Sequence, residues 1–442
     1  MTDWAAEPLG DGVTRLYPHQ RDGARWLLEG RWRLLTSKPR MGKTLMCLAA
    51  ANATLGDYGG NVIVACPANL REQWRRDIDR WRIGDWRSWV VSYNDLAAGK
   101  VEHLPGAADV LIVDEAHYAK DPKSQRTKAL YGEFCRGEGL ADRARFCWLL
   151  TGTPMPNGPQ EMWTHLRRFA PTEIAGPSGR PRSYGDFQDH YCATLQTTFG
   201  RKIVGGRRLP QLRKVLEPHM LIQDYNLLPD VPNPPEPLLV HVEVDKAALS
   251  RITEFSFSPE GREVRNALTN GGIRALAKLG TNGATLRRLI GLAKIPPVVE
   301  MVEAELEADP ELKIVVFAVH VDVVTAITKR LSRFGACAFS GGMTAAAQAT
   351  VKRKLNTDPK CRVVVASLLA ASEGHDFSAA DMVIRAESSW VPTQNEQADR
   401  RIYNLAKRRP ICVRALVIRH SVDEDIMHAT ESKTRIAVKV FG

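Results

Sequence analysis

The chain has 442 residues, more than one ordinary hydrophobic core accommodates, and 44% of them are apolar, which supports globular folding in two or more domains. Its 61 basic against 50 acidic residues leave a formal charge of +11, which favours a polyanionic partner. The opening MTDWAAEPLGDG has neither a basic leader nor an apolar core, and no apolar run approaches the ~18 residues of a membrane span. A soluble, intracellular, cytoplasmic protein with no membrane partner is expected. Eight cysteines (Cys47, Cys66, Cys135, Cys147, Cys192, Cys337, Cys361, Cys412) form no C-x-x-C and have no histidine at finger spacing, so free thiols and no structural zinc are expected.

In chain order, Leu16 to Leu28 carries apolar residues at helical spacing behind Pro18, which predicts an amphipathic helix with Gln20 in its first turn, where a polar side chain can face outward. Residues 33–36 lead into SKPRMGKT, read as a short strand, a turn, and a helix that begins near Gly42. This is phosphate-loop architecture. Backbone N–H groups at a helix start bind anions, Gly42 allows close approach, Lys43 reaches the outer phosphates, and Thr44 ligates Mg²⁺. The full pattern G-x-x-x-x-G-K-[ST] has glycine where this chain has Ser37.

NVIVAC (61–66) reads as a buried strand, followed by a helix with Leu70, Trp74, Ile78 and Trp81 on one apolar face and five interleaved arginines. WVVSY (89–93) is a further short strand. DVLIVDEAH, Asp109 to His117, is an apolar run that ends abruptly in two acids and a histidine. At the C-terminal end of a parallel strand Asp114 can hold hydrated Mg²⁺ while Glu115 polarises a water, the division of labour of phosphoryl transfer; for an isolated acid pair, a capped helix start is the competing reading. Phe146 to Leu150 form another strand, and the hydroxyls of Thr151 and Thr153 emerge at its end. Strands alternating with helices, with polar tips gathered at strand ends, predict an α/β fold built on a doubly wound parallel sheet.

From Pro171 to Leu228 the pattern changes to Gly/Pro loops and basic pieces, read as a helical basic insertion, and PDVPNPPEP (229–237) is a stiff linker with five prolines in nine residues. A strand at Leu238 to Val244 and a helical stretch follow. A second α/β pattern then runs through IPPVVEMVEAELEA as helix, KIVVFAV as strand, VVTAITKRLSRF as helix, and CRVVVAS, MVIRAE and VRALVI as strands. The expected division is 1–170 for a first lobe, 171–228 for the insertion, 229–295 for linker and helical segment, and 296–442 for a second lobe.

This ordered set resembles the helicase superfamily-two motors and, within them, the Swi/Snf-type double-stranded DNA translocases. The matching stretches are L-Y-P-H-Q-x-x-G-A-x-W-L, G-K-T, P-A-N-L-R-E-Q-W, S-Y-N-D-L, D-E-A-H, L-T-G-T-P-M-P-N and S-x-W-V-P-T-Q, from Leu16 to about Asp425. FQDHYC and FSAADMVIRAESSWVP are most like the compact HARP-type annealing helicases. The resemblance implies two RecA-like lobes with ATP and Mg²⁺ in the cleft and double-stranded or forked DNA across both. It implies Gln20 reading adenine, Lys43 and Thr44 on phosphate and metal, Asp114 on Mg²⁺, Glu115 orienting water, and Thr151 to Pro154 coupling the site to DNA, with Pro67 and Arg71 also on DNA. In the second lobe it implies Ser367 as a DNA backbone contact, Gly374 and Asp376 facing the nucleotide, Trp390 near the DNA groove, and Arg401 towards the γ-phosphate. A monomer is expected, with a recruiting protein that the sequence does not name.

Three further positions depart from the family pattern. Arg40 replaces the first glycine of M-G-L-G-K-T, Asn404 stands at the second arginine of Q-A-x-x-R-x-x-R, and MLIQDY from Met220 replaces a M-x-R-R-like segment. Two alternatives remain open on sequence alone. One is a DEAH-type RNA helicase; the other is a nucleotide-gated DNA-binding scaffold with weak or lost hydrolysis.

Overall fold

The computed structural model describes residues 3–38, 41–133, 138–152, 154–155, 158–197, 200–227, 236–271, 279, 281–371, 375–404, 407, 409–419, 421, 423–424 and 427. The chain folds as two compact units that meet in sequence at Leu228 and Pro229.

In the first unit the strands are β1 (Trp32–Ser37), β2 (Asn61–Cys66), β3 (Arg87–Ser92), β4 (Ala108–Asp114), β5 (Ala144–Leu150) and β8 (Met220–Gln223), and they form one sheet in the order β3-β2-β4-β5-β1-β8. Every pairing is parallel. A parallel sheet needs crossover helices on both faces, so its strands are apolar on both sides. β4 displays this: Val110 and Ile112 pack into one core with Leu27 and Leu48, while Leu111 and Val113 pack into the other with Tyr131 and Leu166. Because all six strands run the same way, their carboxyl ends share one edge, where Ser37, Cys66, Asp114, Leu150 and Gln223 close their strands.

Helices α1 (Pro18–Leu28), α2 (Lys43–Leu55) and α3 (Arg71–Trp81) cover part of this sheet. α1 and α2 pack closely because Gly23 carries no side chain; a Cβ there would lie 2.5 Å from Met46 Sδ.

The second unit carries β9 (Leu238–Val242), β10 (Ile314–Ala318), β11 (Cys337–Phe339), β12 (Val363–Ser367), β13 (Met382–Arg385) and β14 (Cys412–Ile418) in the order β11-β12-β10-β13-β14-β9, again all parallel. β10 repeats the two-faced burial, with Ile314 and Val316 in one core and Val315 and Phe317 in the other. Both units are therefore doubly wound parallel sheets.

The segment boundaries differ from the expected division. Residues 171–228 are not a purely helical insertion: they contain an antiparallel hairpin, β6 (Cys192–Thr197) with β7 (Gly200–Gly206), and β8, which completes the first sheet by pairing with β1. β9, expected within a linker segment, completes the second sheet beside β14. Both edge strands join their sheets only through partners far away in sequence, so cuts at 170 and 295 pass through the lobes. Among the described residues no helix is long and apolar enough to cross a membrane.

Candidate active site

The carboxyl edge of the first sheet gathers the predicted residues of that unit. β1 ends at Ser37, and α2 starts after Gly42, which caps it in the left-handed region at φ 88°. A Cβ on Gly42 would lie 2.2 Å from Gln20 Nε2, so the position requires glycine for both backbone and space. Lys43 Nζ donates to Ser37 O at 2.9 Å, folding the lysine back over the loop, and Thr44 follows in the first turn. Pro39, Arg40 and Thr153 lie outside the described residues.

Gln20 differs from its expected outward orientation. It is 2% exposed; its Oε1 accepts from Tyr17 N at 3.0 Å, closing the first turn of α1, and its Nε2 donates to Met41 O at 3.1 Å. His19 Nε2 reaches the same carbonyl at 3.1 Å. In this structure the Gln20 amide is committed to the phosphate loop, because a buried amide so close to the loop must satisfy both its ends.

Asp114 closes β4 and is half-buried. Its Oδ2 accepts from Trp74 Nε1 at 2.8 Å and its Oδ1 from Glu115 N at 2.9 Å, while Tyr93 OH donates to the Asp114 carbonyl at 2.5 Å. Burial, and then the neighbouring Glu115 carboxylate, push the Asp114 acid up to about 6, against the downward pull of the Trp74 hydrogen bond and the Lys43 charge. Glu115 adopts φ 50°, a left-handed conformation that a non-glycine residue holds only at a cost. Its Oε2 lies 3.2 Å from His117 Nδ1, and that nitrogen is 3.1 Å from Thr151 Oγ1 at the end of β5. Thr151 is 1% exposed and its N–H donates to Leu35 O, so it joins the acid pair to the β1 and β5 strand ends.

The donors suit Mg²⁺. Thr44 offers a hydroxyl and Asp114 a carboxylate, both hard oxygens of the kind that cation prefers, and it commonly takes its remaining positions from water and phosphate. An acid pushed up by its surroundings is also one that a cation would stabilise in its charged form.

Pro67 opens the 3₁₀ turn after β2, and Arg71 is engaged with Asp95 Oδ2 at 2.9 Å while remaining 40% exposed. In the second unit Ser367 closes β12 at the carboxyl edge, and Gly374 lies outside the described residues. Asp376 is exposed, its Oδ1 accepting from Ser378 N, and Arg401 is brought to the same segment, its carbonyl accepting from Phe377 N at 3.0 Å. Burial, with the Lys352 and Arg401 charges, lowers His375 to about 4. Trp390 is half-buried against the second core with the Arg287 guanidinium 4.8 Å over its ring, so one face expected for the DNA groove is covered by an arginine.

Sequence reasoning placed Trp74 on an apolar helix face and gave Tyr93 no role beyond its strand and motif. The signal available for them was chemical: a buried indole N–H or phenol needs an acceptor. It also left Gln223 without a role.

Residues 297–405 match the helicase conserved C-terminal domain family. Along 97% of its length the chain is 25% identical to the Xenopus tropicalis SWI/SNF-related matrix-associated actin-dependent regulator of chromatin subfamily A-like protein 1, and along 93% it is 24% identical to the Mus musculus DNA annealing helicase and endonuclease ZRANB3. It spans 45% and 39% of those proteins, less than half of either. The helicase domain of Pyrococcus furiosus Hef superposes over 96% of this chain and 100% of its own, with a TM-score of 0.51 and 14% identity, a likeness of fold: two RecA-like lobes.

Proposed function

Because the chain belongs to the Swi/Snf-type superfamily-two helicases, we propose that it is an ATP-driven motor that tracks along double-stranded or forked DNA, remodelling it rather than unzipping long duplexes. The observation that carries this reading is the half-buried Asp114 carboxylate, fixed by Trp74 and within electrostatic reach of Lys43 at one sheet edge. Lys43 would leave Ser37 O for the outer phosphates of ATP, the loop N–H groups before α2 would take the remaining phosphate charge, and Asp114 and Thr44 would hold Mg²⁺. Bound there, Mg²⁺ neutralises charge on the phosphates. Glu115 orients the attacking water, and its approach to His117, which meets Thr151, links that water's position to the β5 turn. Arg401 of the second lobe is assigned to the γ-phosphate, and Asp376 and Gly374 to the nucleotide; Pro67, Arg71, Ser367 and Trp390 are assigned to DNA.

The test is ATP turnover with and without duplex DNA and with RNA in its place. Lys43→Ala should weaken nucleotide binding, whereas Glu115→Gln should keep binding and lose hydrolysis, since only the second leaves the phosphate cradle intact. Equal turnover in Glu115→Gln and the parent overturns the assignment. Stimulation by RNA in preference to duplex DNA would make the protein an RNA helicase, and no turnover at saturating duplex DNA would make it a nucleotide-gated scaffold.

A further inference from the structure

Two of the departures from the family pattern touch each other. Ser37, where the phosphate-loop motif has glycine, is fully buried, and its hydroxyl donates to Gln223 Oε1 at 2.9 Å. Gln223, at the second arginine of the M-x-R-R-like segment, is 3% exposed and lies opposite Ser37 in the β1–β8 register. Its Nε2 donates to His19 O at 2.7 Å, and its carbonyl accepts from Lys38 N at 3.0 Å. One side chain thus bridges the first residue of the phosphate loop and the first turn of α1, the same turn from which His19 and Gln20 reach Met41 O near the loop's other end.

The chemistry is selective. A buried hydroxyl needs an acceptor for its hydrogen, and a glutamine amide is a side chain that can accept at one end and donate at the other. Arginine, with donors only, would leave the Ser37 hydroxyl hydrogen without this acceptor; glycine at 37 would leave the glutamine oxygen without this donor. We infer that Gln223 is a positioning residue for nucleotide binding, which fixes the phosphate loop through Ser37 and Lys38. Ser37 O is also the acceptor that holds Lys43 Nζ, so a shift of Ser37 moves the lysine that meets phosphate. The consequence for ATP rests on the role proposed for Lys43; the consequence for the loop does not.

The experiment uses the full chain as parent, Gln223→Leu, Ser37→Gly and the double variant. A fluorescent ATP analogue with Mg²⁺ reads affinity, DNA-stimulated turnover separates KM from kcat, and hydrogen exchange of the peptide spanning residues 32–46 reads the loop without nucleotide. Gln223→Leu should weaken analogue binding roughly tenfold, because two buried hydrogen bonds are lost and their partners left unsatisfied. KM should rise in step, kcat at saturating ATP should stay within about twofold, and exchange of the 32–46 peptide should quicken. Ser37→Gly should weaken binding by about threefold, and the double variant should be no weaker than Gln223→Leu, since the pair fails as a unit. Parent-like affinity and exchange in Gln223→Leu, or a fall in kcat with KM unchanged, overturns the inference, and Ser37→Gly with additive losses overturns it from the other side should Gln223→Leu fail to fold. If the parent and Lys43→Ala bind the analogue equally poorly, the nucleotide reading falls, and hydrogen exchange alone decides whether Gln223 holds the loop.

Discussion

Trp74 and Asp114 lie 40 residues apart and share a hydrogen bond of 2.8 Å that aims the carboxylate closing β4. The indole is 2% exposed, so it fills the core between α3 and the sheet and directs its only donor at the acid. Trp74→Phe keeps most of the packing and removes the donor. Loss of a hydrogen bond to a charged group costs about 1.5–3 kcal/mol, and loss of a partner that orients a metal ligand lowers activity about 10- to 100-fold. Turnover at saturating DNA should fall within that range while the far-ultraviolet dichroism stays that of the parent; undiminished turnover would show that Asp114 needs no such orientation.

Gly42→Ala should abolish measurable nucleotide binding. The left-handed φ of 88° strains any side chain by about 1–2 kcal/mol, and the new Cβ would meet Gln20 Nε2, which is itself held to Met41 O. Titration with a labelled nucleotide checks this, and affinity within threefold of the parent would refute it.

What the sequence made legible is what local pattern determines. DVLIVD reads as a buried strand because both its faces are apolar, and IPPVVEMVEAELEA as a helix because its apolar spacing is helical and its prolines fall in the first turn; the structure has β4 and a helix at Ile295–Ala308. The edge strands were harder. β8 is four residues long and pairs with β1, about 185 residues earlier, and the Gly-rich basic stretch 200–206 lacks the alternation that would mark a hairpin strand. The parts of the site that escaped reading are contacts of the same non-local kind: Trp74 with Asp114, and Gln223 with Ser37 across 186 positions. A residue type announces that a partner is needed, but only the fold says which partner.

Acid should act on the first lobe through His165. Burial lowers this imidazole to about 4 from an ordinary 6.5, and its Nδ1 lies 3.2 Å from Tyr131 OH. The unfolded chain therefore binds more protons than the folded one between these values, so the contribution is intact above pH 6.5 and is lost as pH falls towards 4, on the order of 3 kcal/mol in all. Asp114, raised to about 6, has the opposite sign in an overlapping window, so the comparison must be between variants. Urea unfolding of His165→Phe should show a shallower loss of stability from pH 6.5 to 4 than the parent, displaced by a constant for the lost Tyr131–His165 hydrogen bond. Parallel curves would mean that His165 does not titrate in the folded state as its burial requires.

DNA affinity should be sequence-tolerant and fall steeply with salt, since phosphate contacts release counterions whatever the bases. Arg180, exposed on the rim of an open cavity of about 670 Å³ that Arg182 and Arg208 also line, is a candidate contact, although Asp186 and Asp189 share the lining. If Arg180 meets phosphate, Arg180→Ala should lower the slope of log K against log salt by about 1 on unrelated duplexes alike. A strong preference for one sequence, or an unchanged slope, contradicts this.

Arg401 is the arginine of its motif proposed to meet the γ-phosphate. Arg400 pairs with Glu396 at 3.7 Å, and Tyr403, the second position of a register shifted by one residue, is buried at 1% exposure and belongs to the interior. Arg409 binds Asp309 and Asp381, which precede β10 and β13, so it sits at the amino edge of a parallel sheet whose carboxyl edge carries Ser367. Arg408 lies outside the described residues. A fixed cation at a transition-state phosphate is worth ~10³ to 10⁵ in rate because the charge it meets develops only during transfer. Asn404 offers no charge, and it is exposed, its amide 3.5 Å from Ser378 Oγ, so an arginine there has room. Arg401→Ala should therefore lower DNA-stimulated kcat at least a hundredfold with nucleotide affinity little changed, Asn404→Arg should raise it, and Arg409→Ala should soften thermal unfolding and leave kcat alone. Steady-state turnover on the three variants decides. If Arg409→Ala stops hydrolysis and Arg401→Ala does not, the arginine that meets phosphate lies downstream of this motif.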